Sequence, residues 1–426
     1  MTRDFISERT YLIRTTAQRT WLSCFKIIQE LTECLSGIAE LKTWDQLKGE
    51  WNGQPLIGFG NTYIIIEDVP HPREIIRSIT FNDPQARFVI FVYGGFNLFA
   101  ADWILTEPNL IGRSIRFVCA SSASKGQLMT YLRGASSIEA IPFPVNSEFI
   151  LNPNDLRTTL DKVWEEHSLK DVAHLIYAGR ISSQKNLACL VENVLSLNLD
   201  SKKLQLWVAG HTDESPNPFW QEESPCSFQN DQKILEIINK FPVAIQSTVC
   251  FLGALSTAEL NYFFQKVDAF VSLSLHHDED FGMAPIEAAL NGLPCLLTKW
   301  GGYQDLLSKH ELHTGIDVQM TSQGPIVRKD SVRNGIQNHL RKLLSPKPES
   351  FRANFLRTHQ DSYSPKGVRQ QILPLLKRGE RNSLFAGFSE KFKKFSQIRE
   401  SEPGSTALRN SDLKEIYLDF YKSYWQ

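Results

Sequence analysis

The stretch His276–Leu307, HHDEDFGMAPIEAALNGLPCLLTKWGGYQDLL, carries the most information about the fold. The apolar run AFVSLSL (269–275) leads into its acidic loop and predicts a buried β-strand. After the loop, the pattern predicts a helix over Pro285–Asn291 and a second strand over Pro294–Thr298. A strand, a helix and a strand in this order predict a right-handed βαβ unit within a parallel sheet.

The start of the predicted helix has the features of an anion site. Gly282 permits a close approach of the backbone to a ligand, and Pro285 suits the first turn of a helix. The amides of Phe281, Gly282 and Met283 would gather at the helix N-terminus. Because the helix dipole favours negative charge there, we expect this segment to bind an anion such as a diphosphate.

Two glutamates flank this helix start. Glu279 lies in the loop, and Glu287 is predicted in the first helical turn. Carboxylates are good bidentate acceptors for sugar hydroxyls, so one glutamate would hold a transferred sugar and the other a ribose. The alternative is that Glu287 only complements the helix dipole and that Glu279 is a solvated loop charge.

A second candidate segment is AGRISSQKN, residues 178–186. Arg180 ends a predicted strand, and Lys185 precedes a predicted helix. A forked guanidinium and a compact ammonium at the mouth of a parallel sheet would clamp a diphosphate between them. The alternative is a solvated basic turn.

Short apolar runs alternate with amphipathic patterns along most of the chain, and the alternation restarts near residue 170. We therefore predict an α/β protein of two Rossmann-like, doubly wound domains that face a central cleft. The predicted parts are an N-terminal domain over 1–165, a C-terminal domain over 166–345 and a helical segment over 346–426. The strands predicted by these runs are Thr10–Arg14, Tyr63–Glu67, Phe88–Tyr93, Ile115–Ala120, Ile138–Pro142, His174–Tyr177, Leu204–Ala209, Thr248–Leu252 and Ala269–Leu273.

Composition excludes several classes of protein. The net charge of −1 gives no basic field for a nucleic acid, so we expect no nucleic-acid partner. The 7 cysteines are scattered without a C-x-x-C pair, which favours reduced thiols over a disulfide framework or a zinc site. The N-terminal residues lack the apolar segment of a signal peptide, and no long uncharged apolar run occurs. We therefore expect a cytoplasmic protein.

An apolar stripe near the C-terminus allows two interpretations. Phe385, Phe388, Phe392, Phe395 and Ile398 fall on one helical face, beside three lysines. The first interpretation is that this face packs back on the N-terminal domain. The second is a peripheral contact with the inner face of a membrane, since a basic amphipathic helix can lie on anionic lipid.

Four motifs in one order resemble the retaining GT-B glycosyltransferases, especially glycosyltransferase family 4. AGRISSQKNLACLV is similar to the family's G-R-x4-K-N segment, and EDFGMAPIEAALNGLPCLLTKWGGYQDLL (279–307) resembles its E-x7-E block. The segments LWVAG (206–210) and VCFLGALSTAEL (249–260) also look like family strands. The resemblance covers roughly residues 170 to 310 and implies a transferase that uses a nucleotide-diphospho-sugar as donor substrate.

The resemblance also implies roles for individual residues. Arg180 and Lys185 would bind the donor diphosphate, and Gly179 just before them would also be part of the donor site. Glu279 would face the transferred sugar. The backbone of Phe281, Gly282 and Met283 would lie beside the phosphates. Glu287 would hold the ribose hydroxyls. The segment Gly253–Leu255 would lie near the nucleobase, and Leu255 is its last residue. Members of the family retain the anomeric configuration and need neither a metal nor another cofactor.

The N-terminal half resembles the family only weakly, which leaves the acceptor unidentified. RTTAQRT (14–20) stands where a Gly-Gly turn is usual after the first strand, and Asp280 replaces a common glycine in the second half. The open possibilities for the acceptor are a glycan, a lipid-linked glycan, a protein and a small molecule. These departures keep open the alternative of a catalytically silent GT-B module that binds a nucleotide or a partner protein.

Two other signals point to different classes of protein and are rejected. Gly58-Phe59-Gly60 resembles the start of a dinucleotide fingerprint, but it precedes a strand and lacks the third glycine, which argues against an oxidoreductase. His276-His277-Asp278 resembles part of a metal site. Adjacent histidines in a strand would point to opposite faces, so we expect no metal there.

Overall fold

The computed structural model forms two compact units. Unit 1 comprises residues 1–145, 362–424 and 426, and unit 2 comprises residues 146–361 and 425. The structure describes residues 9–14, 22–51, 60–66, 72–92, 96–133, 137–146, 154–201, 204–212, 227–277, 279–322, 324–345, 349–376, 384–402, 407 and 410–426.

Unit 1 is built, in its described residues, on a sheet of parallel strands. The strands are β1 (Thr10–Arg14), β2 (Glu40–Thr43), β3 (Thr62–Ile66), β4 (Arg87–Val92), β5 (Ile115–Cys119) and β6 (Ser137–Ala140). Their order is β2-β1-β3-β4-β5-β6, and every neighbouring pair is parallel. All residues of β3 and β5 are buried, which is typical of a parallel sheet that is covered on both faces.

Unit 2 contains a second parallel sheet, again within its described residues. Its strands are β7 (Ala173–Ala178), β8 (Leu204–Ala209), β9 (Val249–Gly253), β10 (Ala269–Ser272), β11 (Cys295–Thr298) and β12 (Thr314–Ile316). The order is β12-β11-β10-β7-β8-β9, so the winding reverses between β7 and β10. Ligands of doubly wound sheets bind at such a reversal, beyond the carboxyl ends of the strands. An antiparallel hairpin follows, formed by β13 (Val318–Thr321) and β14 (Gly324–Val327).

Helices cover both sheets. In unit 1 they are α1 (Leu22–Cys34), α2 (Trp44–Trp51), α3 (Pro72–Asn82), α4 (Ala100–Leu110) and α5 (Ser122–Tyr131). In unit 2 they are α6 (Asn154–His167), α7 (Leu187–Ser201), α8 (Ser227–Ile238), α9 (Val243–Gln246), α10 (Thr257–Lys266), α11 (Met283–Leu290), α12 (Tyr303–Leu307) and α13 (Lys329–Leu344). The remaining helices are α14 (Glu349–Tyr363), α15 (Pro365–Leu376), α16 (Glu390–Ser401) and α17 (Ser411–Phe420), with short 3₁₀ turns at Phe96–Phe99, Ser183–Lys185 and Lys422–Tyr424.

The two parallel sheets with their helices agree with the predicted α/β fold class. The compact units divide near residue 145, whereas the domain boundary predicted from the sequence lies at 165. The reason is that α6 packs within unit 2. Its Trp164 stacks on Trp207 of β8 with ring centroids 4.9 Å apart, and Tyr262 of α10 donates a hydrogen bond to Asp161.

The chain returns to unit 1 after residue 361, where the C-terminal aromatic stripe is buried. Phe388 and Phe392 lie against Phe96, and Phe392 also lies 4.7 Å from the ring of Tyr131. Phe385, Phe388, Phe392 and Phe395 are all almost fully covered. Because the protein itself covers these rings, they expose no apolar face for a lipid surface in this conformation.

No helix within the described part of the chain is both long and apolar enough to cross a membrane. The side chains of Cys34, Cys119, Cys189, Cys250 and Cys295 are free thiols.

Candidate functional site

The residues predicted to carry the chemistry converge at the reversal point of the sheet in unit 2. Strands β7 and β10 are neighbours in parallel register, with Leu175 opposite Ala269. Arg180 and Lys185 follow β7, and Glu279 follows β10. Because the carboxyl ends of neighbouring parallel strands meet at one edge, the topology brings these three side chains to the same place.

Glycines at the strand ends make this edge compact. The N–H of Gly179 donates to the carbonyl of Ala209 (3.0 Å), and the N–H of Gly210 donates to the carbonyl of Gly253 (2.7 Å). A Cβ at Gly210 would lie only 1.8 Å from the carbonyl oxygen of Gly179. Position 210 therefore has to be glycine for the ends of β7, β8 and β9 to lie in this arrangement.

Arg180 is held at both its backbone and its side chain. The hydroxyl of Tyr177 donates to the Arg180 carbonyl (2.6 Å), and Nη2 of Arg180 lies 3.1 Å from Nε2 of His276. Burial raises the pKa of Tyr177 above its ordinary value, and the nearby Glu279 carboxylate raises it further. The phenol therefore stays neutral and remains a donor to the backbone.

Lys185 and Glu279 form a largely buried ion pair. Nζ of Lys185 donates to Oε2 of Glu279 over 2.5 Å, and the two side chains are only 16% and 8% exposed. The same oxygen accepts from Oγ of Ser274 (2.5 Å). Burial and then the Glu279 charge hold the pKa of Tyr303 well above its usual value. The ammonium, the carboxylate and neutral hydroxyls therefore form one hydrogen-bonded network.

The helix start beyond the loop is built around Gly282. Gly282 is the N-cap of α11 with φ +83°, a conformation that glycine adopts without strain. A Cβ there would lie 2.5 Å from the ring of Tyr303, so a side chain would also collide. Pro285 is the third residue of α11, in its first turn. Phe281 and Gly282 are buried, and Met283 is half-buried.

The Gly-Gly loop after β11 closes on the acidic loop from the other side. The N–H of Gly302 donates to the Glu279 carbonyl over 2.7 Å. A Cβ on Gly302 would lie 2.2 Å from the carbonyl oxygen of Asp280. This close backbone packing fixes the position of Glu279, which a single side-chain contact would not do.

The predicted position of Glu287 in the first turn of its helix is wrong. The left-handed conformation of Gly282 starts α11 at Met283, two residues earlier than the predicted Pro285. Glu287 is therefore the fifth helical residue, and the first turn contains no acidic side chain. Glu287 is half-buried and lies about one turn into α11. Leu255 is also half-buried, two residues beyond the end of β9.

The prediction that the adjacent His276 and His277 lie in a strand is also wrong. β10 ends at Ser272, so His276 and His277 lie in the following loop and not in a strand. Their rings lie side by side with centroids 4.7 Å apart, and His277 pairs with the Gln184 side chain at 3.2 Å. Asp278 lies outside the described residues. Within the described part of the chain, no group of three or more His, Cys, Asp or Glu side chains could hold a metal.

Sequence reasoning missed three residues that shape this cluster, namely His276, Ser274 and Trp300. Ser274 was available as a signal, because it is a polar residue in the otherwise apolar run AFVSLSL. Trp300 Nε1 donates to the His276 carbonyl over 2.7 Å, a contact across 24 residues that no local pattern announces.

Comparison with known proteins gives this cluster a family context. Residues 161–329 match the family model described as glycosyl transferases group 1. This match contains Arg180, Lys185, Glu279 and Glu287, and it spans less than half of the chain. No curated protein matches the sequence significantly.

Solved structures similar to this chain include glycosyltransferases of the GT-B fold. The sucrose-phosphate synthase of Thermosynechococcus elongatus has a TM-score of 0.59 and 14% identity, and the match covers 86% of this chain and 98% of that chain. Anabaena HepE, solved with UDP and glucose, has a TM-score of 0.56 and 12% identity over 87% and 100% of the two chains. A glycosyltransferase of Rickettsia africae has a TM-score of 0.55 and 16% identity over 89% and 100%.

At such low identities the structural likeness establishes only the fold. The family model adds that residues 161–329, within the second unit, match glycosyl transferases group 1. Together they support a glycosyltransferase. The chain thus has the GT-B fold, and its residues 161–329, which contain the clustered Arg180, Lys185 and Glu279, match the glycosyl transferases group 1 family.

Proposed function

We propose that this protein is a retaining, metal-independent glycosyltransferase of the family 4 type, which moves a hexosyl group from a nucleotide-diphospho-sugar to an acceptor hydroxyl. The observation that carries the proposal is the convergence of Arg180, Lys185 and Glu279 at the reversal point of the second sheet, beside the N-terminus of α11. That UDP is present in the similar HepE structure supports a nucleotide-sugar donor.

The donor diphosphate would bind between the two cations and the helix N-terminus. The amides at Gly282 and Met283 are free of intrahelical partners at this end and would donate to phosphate oxygens. The Arg180 guanidinium offers a fork of donors. The Lys185 ammonium has three N–H donors, so it can keep its hydrogen bond to Glu279 and still bind a phosphate oxygen.

These groups would act when the bond between the anomeric carbon and the diphosphate breaks. Negative charge then develops on the departing phosphate oxygen, and Arg180, Lys185 and the helix N-terminus stabilise it. Removing one preorganised donor of this kind typically costs about 3–4 kcal/mol of transition-state stabilisation. Glu279 pairs with the ammonium and would face the positive charge that develops on the sugar.

Retention follows if the acceptor attacks from the face that the diphosphate leaves. The acceptor oxygen then forms its bond to the anomeric carbon as the carbon–oxygen bond to phosphate breaks. The departing phosphate oxygen takes the acceptor proton, so the step needs no separate protein base. The charge stabilisation in this step comes from side chains and amides, and we expect a chelator to leave the rate unchanged.

The remaining assignments follow the same arrangement. Glu287, one turn into α11, would bind the ribose hydroxyls of the donor, and the segment Gly253–Leu255 would lie near its base. Gly179 would let the backbone approach the phosphates. We place the reaction in the cytoplasm.

A panel of donors tests the proposal. The purified protein is incubated with UDP-, GDP-, ADP- and dTDP-sugars, with and without a chelator, and the release of nucleoside diphosphate is measured. We expect release from one donor, with a rate that falls in the Arg180→Ala variant. Nucleotide binding without turnover, even with acceptor mixtures present, would instead indicate a catalytically silent module.

A further inference from the structure

The Arg180 guanidinium lies against the ring of a histidine to which the family motifs assign no role. Nη2 of Arg180 lies 3.1 Å from Nε2 of His276. Because a guanidinium has donors and no acceptor, Nε2 of His276 must be the acceptor. The ring is therefore neutral in this contact and carries its proton on Nδ1.

The backbone of His276 is fixed from several sides. Its carbonyl accepts from Nε1 of Trp300 (2.7 Å), and its N–H donates to Oγ of Ser274 (3.2 Å). The N–H of Glu279 donates to the same His276 carbonyl (3.1 Å). The whole residue is only 9% exposed, and Trp300 is almost fully buried. A ring on so constrained a backbone gives Arg180 a rigid acceptor.

The neighbouring histidine has a different partner. Nδ1 of His277 lies 3.2 Å from Oε1 of Gln184. The two adjacent rings thus contact different residues of the AGRISSQKN segment, and His276 supplies the acceptor for the guanidinium.

We propose that His276 is a positioning residue, which orients the Arg180 guanidinium toward the donor diphosphate through its neutral ring. The inference rests on the proposed function, in which Arg180 binds the donor diphosphate. Preorganisation of this kind reduces the ordering cost when the ligand binds. Removing it should weaken diphosphate binding without removing a direct contact to the ligand.

Two substitutions of His276 form a matched pair. His276→Gln places a side-chain amide oxygen at about the reach of Nε2, whereas the shorter side chain of His276→Asn ends near the position of Nδ1. We expect His276→Asn to weaken UDP or GDP binding about tenfold, the loss of one hydrogen bond to a charged group. His276→Gln should stay within about threefold of the unchanged protein, because it retains the acceptor.

A double-mutant cycle separates positioning from general structural support. Binding of the same nucleoside diphosphate is measured by phosphorus NMR, which detects weak binding, in the unchanged protein, His276→Asn, Arg180→Ala and the double variant. We expect His276→Asn to have less than about a twofold effect once Arg180 is absent, because the two residues act as one unit. The melting temperature of each variant is recorded as a check on folding.

The outcomes are distinct. An equal tenfold loss in both backgrounds, or no rescue by His276→Gln in a folded protein, would contradict the positioning role while leaving the proposed function intact. If the unchanged protein bound none of the nucleoside diphosphates, or if Arg180→Ala bound them normally, the proposed function itself would fail and the inference with it.

Discussion

Nζ of Lys185 donates to Oε2 of Glu279 over 2.5 Å, which joins the segment after β7 to the loop after β10 across the reversal point of the second sheet. Both side chains are mostly buried, so each charge depends on the other for compensation. Removing one partner of such a pair is strongly destabilising, because it leaves an uncompensated charge in a poorly solvated place.

A double-mutant cycle on this pair should therefore be non-additive. We expect Lys185→Ala and Glu279→Ala each to lower the free energy of unfolding by roughly 2–3 kcal/mol, less than a fully buried pair would lose. The double variant should lose clearly less than the sum, since no charge is left alone. Urea unfolding followed by circular dichroism measures all four proteins, and purely additive losses would show that the pair is not coupled.

Activity should depend on the two cations far more than on comparable surface charges. With a donor identified from the panel, Arg180→Ala and Lys185→Ala should lower kcat/KM by about 10²–10³ each, because each removes a preorganised donor to the leaving group. Lys170→Ala, which changes an exposed lysine of the same unit, is the matched control and should be unaffected. Near-normal rates in both active-site variants would show that the clamp is assigned wrongly.

The sequence predicts the α/β class and most strands of the second unit well, because buried parallel strands are short, continuous apolar runs. Strand Leu204–Ala209 has the predicted bounds. The start of helix α8 at Ser227 is not apparent from the sequence, because its first turns are polar and their pattern resembles that of a loop. In unit 1, β2 with its sequence ELKT is half-exposed and was not predicted, since it lacks an apolar run.

The candidate site was predicted in part. Arg180, Lys185 and Gly282 lie in motifs whose residue types favour an anion, Glu279 lies in the same loop as Gly282, and the sheet topology explains why the two segments converge. The partners of these residues follow from contacts between distant segments. No local pattern connects His276 with Arg180 or with Trp300, and the register of α11 depends on the left-handed Gly282. The roles of these residues toward a donor stay predictions.

The strand-end glycine should be intolerant of even one methyl group. We expect Gly210→Ala to destabilise the protein by roughly 3 kcal/mol or more, because its Cβ would overlap the Gly179 carbonyl and force a backbone shift. Gly49→Ala is the matched control, since a Cβ there meets nothing within 4 Å and Gly49 lies inside helix α2. The control should be neutral or stabilising by about 1 kcal/mol. Equal melting temperatures for the two variants would contradict the described packing.

A buried histidine pair connects α14 to the second sheet. Nε2 of His313 lies 2.9 Å from Nε2 of His359, and the N–H of Cys295 donates to Nδ1 of His313 (3.0 Å). Nδ1 of His313 is thus an acceptor, so its Nε2 donates to His359. Nδ1 of His359 lies 2.7 Å from the Phe355 carbonyl and donates to it. This chain of hydrogen bonds requires both rings to be neutral.

Acid should therefore weaken the fold through this pair. Burial lowers the pKa of His359 from 6.5 to about 4 and the pKa of His313 well below 6.5. At a pH between the ordinary histidine pKa of 6.5 and the lowered pKa of the folded protein, these histidines bind protons in the unfolded chain but not in the folded protein. The contribution of this pair to the free energy of unfolding is fully present above about pH 6.5. It falls as the pH drops toward 4, by at most roughly 1.4 kcal/mol per pH unit for each histidine.

The measurement is the free energy of unfolding between pH 7.5 and about 4, in a range that spans the ordinary histidine pKa of roughly 6.5. His359→Gln keeps an acceptor for His313 but cannot titrate, so its stability should fall less steeply than that of the unchanged protein. The same slope in both proteins would assign the acid sensitivity to other groups.

The most direct test of the donor site compares a nucleoside with its mono- and diphosphate, since the account places the diphosphate between Arg180, Lys185 and the N-terminus of α11. For the preferred base, calorimetric affinity should rise strongly from nucleoside to monophosphate to diphosphate, and the gain from the phosphates should largely vanish in Arg180→Ala and Lys185→Ala. If nucleoside and nucleoside diphosphate bound equally, or if both variants kept the full gain, the phosphates would bind elsewhere and the central assignment would be wrong.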